Sequence, residues 1–216
     1  RQTHLGSEAP KQRHLHRAPG PRRALGLGLD DVAGPGDAGH AKQEQLLADR
    51  PTHIQVELVA LEHRERRLKA ALAEVDQDYD FVLIDCPPSL SMLTLNGLCS
   101  AHGVIVPMQC EYFALEGLTD LVNTIKQVHA NLNRDLQIIG LLRVMFDPRI
   151  TLQSQVSAQL KDHFGDKVFD TVIPRNVRLA EAPSYGLPGV VFDPVAKGSQ
   201  AFVDFAREMV QRIQRM

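Results

Sequence analysis

An aspartate at the end of a short apolar run is the residue in this chain best placed for chemistry. Phe81–Ile84 is apolar and ends at Asp85, and Pro87 and Pro88 follow one residue later. The run predicts a buried parallel strand. The strand must end there because proline has no N–H to donate and disfavours helical geometry in the residue before it. We therefore expect Asp85 at the carboxyl end of a central strand, where open α/β sheets bind ligands.

An acid that follows four apolar strand residues is the Walker B pattern, in which the carboxylate helps to hold Mg²⁺ on a nucleotide phosphate. The pattern is short and common. Taken alone, it is explained better by a strand-terminal Asp85 that accepts hydrogen bonds from nearby backbone amides. The three cysteines include no C-x-x-C pair, which favours small buried thiols in a reducing cytosol over a metal-thiolate site.

Three longer stretches resemble the ParA/Soj partition ATPases, which belong to the deviant Walker A class of P-loop proteins. The first runs from Asp85 to Asn96, the second from Val106 to Gly117 and the third from Val172 to Ser184. The first contains Asp85-Cys86-Pro87-Pro88-Ser89-Leu90-Ser91, and the third contains Ile173-Pro174-Arg175-Asn176-Val177-Arg178-Leu179-Ala180-Glu181-Ala182-Pro183. The resemblance extends from about Val56 to the C-terminus.

The resemblance implies an ATP-driven homodimer that binds DNA non-specifically and is stimulated by a ParB-like, centromere-binding partner. ATP and Mg²⁺ are the implied cofactors, and the implied location is the cytoplasm, at the nucleoid. Asp85 is the implied catalytic acid on the Mg²⁺ side, acting through a water molecule. The implied fold is α/β: an incomplete, doubly wound, mostly parallel sheet of the P-loop NTPase type, flanked by helices.

Residues 1–55 are a different kind of sequence, unrelated to the family. They contain no Phe, Tyr or Trp and are rich in glycine, proline and histidine. An irregular or disordered segment is therefore expected before a partial P-loop domain at 56–216. Nowhere does the chain contain G-x-x-x-x-G-K-[ST], the loop whose amides and lysine hold phosphates. The Gly26/Gly28 and Gly34/Gly36 pairs lack a following lysine and are interpreted as loop.

Two explanations remain for this segment: a divergent N-terminus, or one replaced through truncation or out-of-frame translation. The abrupt change at about Val56 favours the second. The sequence then predicts deficient ATP hydrolysis, so enzymatic activity stays an open question. The alternatives to a partition ATPase are a non-catalytic remnant or interaction module, and a MinD-like, membrane-associated relative. Loss of the strand beside the Asp85 strand also predicts an unpaired apolar edge and poor solubility.

Strands and helices are expected to alternate from Val56 onward, which indicates βαβ units. A charged amphipathic helix is predicted over Val56–Val75, and Ser89 is the expected N-cap of the next helix. Further strands are predicted at Gly103–Pro107, Leu136–Phe146 and Val168–Ile173. The remaining predicted helices are Leu115–Leu132, Thr151–Phe164 and Pro194–Met216.

Two strand ends could form the base-binding part of a nucleotide site. By resemblance, the loop of Pro174 and Arg175 packs against adenine, with Pro174 as a flat apolar wall. Met145, at the end of the preceding strand, would face the same pocket. Without the resemblance, Pro174 is explained better as a residue that simply ends a strand.

Arg149 and Arg178 match the arginines that bind DNA in the family, where cations on a shared face release counterions from DNA. Solvated surface arginines are the alternative, and residues 56–216 are acidic overall, with 16 basic and 20 acidic side chains. The last helix carries an apolar stripe of Phe202, Phe205, Met209, Val210 and Ile213. Since its flanks are not rich in lysine, the stripe is predicted to pack on the sheet and not on a membrane.

Overall fold

A computed structural model describes residues 24–28, 58, 60–87 and 89–216, with the backbone alone for 24–28. Strand β1 (Ala24–Gly28) pairs in parallel with strand β2 (Phe81–Asp85), and Gly28 lies opposite Asp85 at their carboxyl ends. The interpretation of Gly26 and Gly28 as loop was wrong, because glycine weakens a strand but still supplies both backbone groups to the ladder. The expectation that the Asp85 strand lacks this neighbour was also wrong. The Gly34/Gly36 pair and the rest of 1–55 lie outside the described residues.

The segment before β2 contains less helix than predicted. A 3₁₀ turn at Arg64–Arg66 leads into helix α1 (Arg67–Leu72), and another 3₁₀ turn follows at Asp76–Asp78. His63 has φ = 52°, in the left-handed region, so an α-helix cannot continue through it. The prediction of one helix over Val56–Val75 was therefore wrong in extent.

Helix α2 (Met92–Ser100) begins two residues later than Ser89 would place it. Its N-cap is Ser91, whose hydroxyl oxygen accepts from the N–H of Thr94 at 3.4 Å. Ser89 contributes its carbonyl oxygen instead, which accepts from the Thr94 hydroxyl at 2.7 Å. The predicted cap at Ser89 was wrong, although the helix itself forms as expected.

The larger described sheet has three parallel strands in the order β3–β4–β5. They are β3 (Gly103–Gln109), β4 (Gln137–Phe146) and β5 (Val168–Pro174), and helices α3 (Tyr112–Asn131) and α4 (Thr151–Phe164) connect them. Pro107 does not end β3 as predicted. It lies within the strand, opposite Leu142 of β4, and β3 is at the edge of these three strands, a position that tolerates proline.

After β5 the chain forms short pieces and then a long helix. These are α5 (Val177–Glu181), a 3₁₀ turn at Ala182–Tyr185, α6 (Gly189–Phe192) and α7 (Lys197–Ile213). The predicted α/β architecture is confirmed: parallel strands flanked by helices. None of the helices in the described part of the chain is long and apolar enough to cross a membrane.

Two apolar cores lie on opposite faces of β3–β4–β5. On one face, α2, α3 and α4 contribute buried residues such as Leu98, Ile125 and Leu160. On the other face, Phe205 and Met209 of α7 pack against Leu142 and Phe169. The phenyl rings of Phe169 and Phe205 meet edge to face with centroids 5.0 Å apart. The prediction that the apolar stripe of the last helix packs on the sheet is confirmed for Phe205 and Met209, whereas Phe202 is 40% exposed.

Candidate functional site

A cleft of about 590 Å³ opens at the carboxyl edge of the three-stranded sheet. Both Met145 and Pro174, predicted from the sequence to share a pocket, line it. The remaining lining comes from β3, from the adjoining ends of β4 and β5 and from helices α5 to α7: Gln109, Val144, Ile173, Asn176, Leu179, Ala180, Pro188, Gly189, Val190 and Phe202. The lining is mainly apolar, as expected of a site for a flat organic ring.

Local backbone geometry explains how β4 and β5 open onto this cleft. Met145 has φ = 53°, which is unusual for a residue with a side chain and lies next to an irregularity in the β4–β5 register. The N–H of Arg175 donates to the carbonyl oxygen of Phe146 at 3.2 Å, so the two strand ends stay side by side. The arginine side chain itself is not part of the lining.

Two side chains, Gln109 and Asn176, provide the polar groups of the cleft wall. Asn176 is the N-cap of α5, and its Oδ1 accepts from the N–H of Leu179 at 3.3 Å. That bond fixes the orientation of the amide. The sequence analysis did not assign Asn176 a role, although its position directly before a helix is the usual signal for a cap.

Asp85 ends β2, in the other sheet, and is not among the residues that line the cleft. It is exposed to solvent. Burial, and then the charge of Asp85, raise the pKa of the neighbouring Cys86 thiol. Cys86 is therefore a protonated thiol and not a reactive thiolate.

Arg149, which follows β4, is held by Asp147. Its Nε and Nη2 donate to the two carboxylate oxygens at 2.9 and 2.6 Å, and its backbone N–H donates to Oδ1 at 3.0 Å. The Arg149 side chain and backbone lower the pKa of the Asp147 carboxyl to about 2. The side-chain Oε1 of Gln153 accepts a hydrogen bond from the backbone N–H of Asp147 at 2.7 Å and fixes the start of this turn.

Arg178, on α5, is paired with two carboxylates. Its Nε donates to Asp193 at 2.9 Å and its Nη1 donates to Glu181 at 2.7 Å. The guanidinium also stacks on the Phe192 ring, 4.6 Å from the centroid, and that ring stacks on Tyr185. Hydrogen bonds to Asp193 and Glu181 raise the pKa of Arg178.

A third arginine, Arg143, is buried in the middle of β4, where the sequence analysis saw only an apolar run. Its Nη1 donates to the Ser157 hydroxyl at 2.8 Å, and its Nη2 donates to the carbonyl oxygens of Phe169 and Asp170 at 2.7 and 3.1 Å. Its Nε has no partner among the described residues. Burial lowers the pKa of Arg143. The residue links β4, β5 and α4, and a lone charge in an apolar run is the signal that could have identified it.

Comparison with known proteins agrees with the resemblance seen in the sequence. A family model described as an AAA domain matches residues 49–138. The chromosome-partitioning ATPase Soj of Treponema pallidum is 54% identical over 202 residues, which cover 88% of this chain and 78% of that protein. The sporulation initiation inhibitor protein Soj of Bacillus subtilis is 51% identical over 155 residues, which cover 72% of this chain and only 61% of that protein.

Among solved structures, the chain is similar to cobyrinic acid a,c-diamide synthase from Mycobacterium smegmatis. The TM-score is 0.66 at 32% identity, and the match covers 86% of this chain and 81% of that one. A structure of the same enzyme with a bound ATP analogue and magnesium matches with a TM-score of 0.58, over 77% of this chain and 86% of that one. That neighbour therefore carries nucleotide and Mg²⁺ on a related fold.

Proposed function

Because the chain belongs to the Soj/ParA family of chromosome-partitioning ATPases, we propose that it is a DNA-partitioning protein that binds ATP and Mg²⁺ at the carboxyl edge of its sheet. The observation that carries the proposal is the cleft in which Met145 of β4 and Pro174 of β5 face the same space. The match covers only 61% of the Bacillus relative, so the activity, substrate and partners of this chain are proposals.

The cleft supports the base-binding half of the site. An apolar wall that includes Pro174 offers a surface for stacking a planar ring, and the amides of Gln109 and Asn176 offer donors and acceptors to its edge. Because the Oδ1 of Asn176 is already bonded to the N–H of Leu179, the amide would present its NH₂ group as a donor. Arg175, which follows Pro174 and is exposed to solvent, would supply positive charge to the phosphates.

Asp85 suits the metal-binding half. Magnesium in nucleotide sites keeps several waters and is held by one or two carboxylates together with the phosphates. An exposed carboxylate at a strand end can bind such a hydrated ion through water. When bound, Mg²⁺ supplies charge neutralisation to the phosphates, and Asp85 would orient its water shell.

Dimerisation and DNA binding complete the proposal. Arg149 and Arg178 are the proposed DNA contacts, and a homodimer would double their number and so strengthen the weak binding of one protomer. A ParB-like protein is the proposed partner and the nucleoid in the cytoplasm the proposed location. A MinD-like role is less well supported, because Phe205 and Met209 of the apolar stripe of α7 pack on the sheet.

A non-catalytic remnant is the second candidate, and one observation favours it: the sequence contains no G-x-x-x-x-G-K-[ST] loop. Charge-assisted hydrogen bonds to phosphate contribute roughly 1.5–3 kcal/mol each. Loss of a few of them would move a micromolar affinity into the millimolar range or beyond. The two candidates therefore differ in whether ATP binds at all.

Calorimetric titration with ATP and Mg²⁺ separates the two candidates. The partition-ATPase proposal expects micromolar binding that is weakened at least tenfold by Asp85→Ala when Mg²⁺ is present, and much less when Mg²⁺ is omitted. Ala180→Phe, which fills the cleft, should abolish binding with or without the metal. Ala158→Phe adds the same ring on the exposed surface of α4 and is the matched control. Undetectable binding by the unaltered chain supports the remnant.

A further inference from the structure

Both arginines proposed to bind DNA are already occupied by the chain's own carboxylates. Asp147 takes Nε and Nη2 of Arg149, so Nη1 is the one side-chain nitrogen left without a described partner. Asp193 and Glu181 take Nε and Nη1 of Arg178, and Phe192 covers one face of its guanidinium. Each arginine therefore keeps one Nη without a described partner and a second N–H on the other Nη, so two of its three nitrogens already share their donors with a carboxylate.

The charge within each cluster is also cancelled. Asp147 with Arg149 sums to zero, with Arg175 as a further positive charge that acts on Asp147, and Arg178 with its two acids sums to one negative charge at neutral pH. A phosphate that approaches either guanidinium meets a carboxylate within hydrogen-bonding distance of it. Since non-specific affinity for DNA depends on the number of phosphates that cations neutralise, clusters of this kind contribute little until the carboxylates are displaced.

Two of the three acids, Asp147 and Asp193, differ from chance surface neighbours because the fold holds them, whereas Glu181 is 44% exposed and pairs with Arg178 alone. The side chain of Asp147 is only 15% exposed, and it also accepts from the backbone N–H of Arg149. Asp193 is 21% exposed, and its Oδ1 accepts from the N–H of Ala196 at 3.1 Å, just before α7. These carboxylates cannot swing away without breaking backbone hydrogen bonds, so they stay beside the arginines when DNA approaches.

We propose that Asp147, Asp193 and Glu181 form an autoinhibitory contact that restrains DNA binding through Arg149 and Arg178. The inference rests on the DNA binding proposed above and adds to it a device within the chain itself. Neutralising an acid should strengthen binding to DNA, whereas an acid that merely oriented its arginine would weaken binding when neutralised. The two roles thus predict opposite signs.

The test is fluorescence anisotropy with a labelled DNA duplex of mixed sequence, with and without ATP and Mg²⁺. Asp147→Asn keeps an oxygen that can accept from the Arg149 backbone, and it should tighten binding roughly two- to fivefold, the range that an exposed ion pair supports. The combined change Asp193→Asn with Glu181→Gln should act in the same direction. Between about 50 and 200 mM salt, each variant should steepen the dependence of affinity on salt, since more phosphates are neutralised.

Two controls isolate the effect. Asp204→Asn makes the same change in net charge at an exposed pair with Arg207 on α7, and it should leave affinity unchanged. Combining Asp147→Asn with Arg149→Ala should cancel the gain, because the gain requires the released guanidinium. Thermal unfolding of each variant shows that it is folded.

The outcomes separate the inference from the proposed function. If the unaltered chain binds DNA, Arg149→Ala weakens binding and Asp147→Asn fails to strengthen it, the autoinhibitory contact is refuted and DNA binding stands. If DNA binds equally to the unaltered chain and to all the variants, the arginines are not the contact and the inference fails as well. Absence of binding in every variant, with the neutralised ones included, overturns both.

Discussion

The carboxylate of Glu208 accepts a hydrogen bond from the guanidinium of Arg212, one turn further along α7, at 2.8 Å. The same carboxylate accepts from the backbone N–H groups of Asp170 and Thr171 at 2.8 and 2.9 Å. Arg212 in turn donates to the carbonyl oxygens of Asp166 and Val168 at 2.6 and 2.8 Å. The pair thus occupies backbone groups of β5 that an exposed strand would offer to another chain.

Replacing Glu208 with Gln should destabilise the protein by about 1–2 kcal/mol, because one of its two oxygens becomes an N–H₂ group that faces a backbone donor. Urea unfolding followed by circular dichroism measures the change. Asp204→Asn, four residues earlier at an exposed pair, should cost less than about 0.5 kcal/mol. Equal costs for the two variants would mean that the bonds to β5 contribute nothing.

Asn96 should be needed to hold the segment before β2. Its Nδ2 donates to the carbonyl oxygens of Arg64 and Met92 at 2.8 and 2.9 Å, and its Oδ1 accepts from the N–H of Leu68 at 3.1 Å. Asn96→Ala should destabilise the protein by about 1–2 kcal/mol, because partly buried backbone groups lose their partners. Amide hydrogen exchange should accelerate first around α1. Exchange that accelerates evenly over the whole chain would contradict a local anchor.

Two glycines should respond to alanine in opposite ways. A Cβ on Gly140 of β4 would lie 2.7 Å from the carbonyl oxygen of Lys167 and from the Phe169 ring, so Gly140→Ala should cost about 1–3 kcal/mol. A Cβ on Gly117 of α3 meets nothing within 4 Å, so Gly117→Ala should stabilise the protein by about 0.5–1 kcal/mol. Denaturant midpoints measured side by side provide the comparison, and the same sign for both would contradict it.

Replacement of Arg143 by either an apolar residue or lysine should destabilise the protein. Arg143→Met leaves the Ser157 hydroxyl and the carbonyl of Phe169 without their donor and should cost about 2–4 kcal/mol in the free energy of unfolding. Arg143→Lys keeps the charge but cannot reach both with one compact ammonium, so it should cost nearly as much. Ser157→Ala removes one acceptor and should cost about 1 kcal/mol. Full stability of the lysine variant would show that the charge matters and the forked geometry does not.

Acid should reveal whether the Asp147–Arg149 pair forms in solution. The folded-state pKa of Asp147, about 2, lies below the usual value near 3.9. The pair therefore stabilises the folded protein fully above pH 3.9, and that contribution is lost as the pH falls toward 2. An NMR titration should place the midpoint of the Asp147 carboxyl near 2, and Arg149→Ala should move it back toward the usual value.

Arg207→Ala removes a charge elsewhere and should leave the Asp147 midpoint unchanged. An ordinary midpoint in the unaltered chain would indicate that solvent separates the two side chains. That result would also remove the geometric basis of the autoinhibitory contact.

Apolar periodicity predicted the strands and helices that have strong patterns of their own. Helix α4 begins and ends at the predicted residues, Thr151 and Phe164, and β4 begins within one residue of its predicted start. Where the sequence analysis failed, the cause was tertiary. Strand β1, with glycine at two of its five positions, forms beside β2, a partner 57 residues away in register that no local pattern reveals. The helix expected over Val56–Val75 is interrupted at His63, whose left-handed backbone is uncommon even for histidine and is not specified by the local pattern.

The candidate site was predictable where residues follow strand ends. Met145 and Pro174 lie together because parallel strands end at one edge of a sheet, which is a rule of topology. The carboxylates that pair with Arg149 and Arg178 were harder to predict from the sequence. Asp147 is two residues from Arg149, but Asp193 approaches Arg178 only because the chain turns through α6. The buried role of Arg143 depends on the positions of α4 and β5, which its own neighbours in sequence do not specify.

The position of α7 has a practical consequence for labelling. Its last turn carries Arg212, which is bonded to β5, whereas Met216 lies beyond the helix and is 54% exposed. A fluorescent tag fused after Met216 should leave the sheet undisturbed. A fusion that removes the last five residues would take Arg212 away and expose backbone groups of β5. Aggregation of such a fusion would then result from the design of the tag and not from the protein itself.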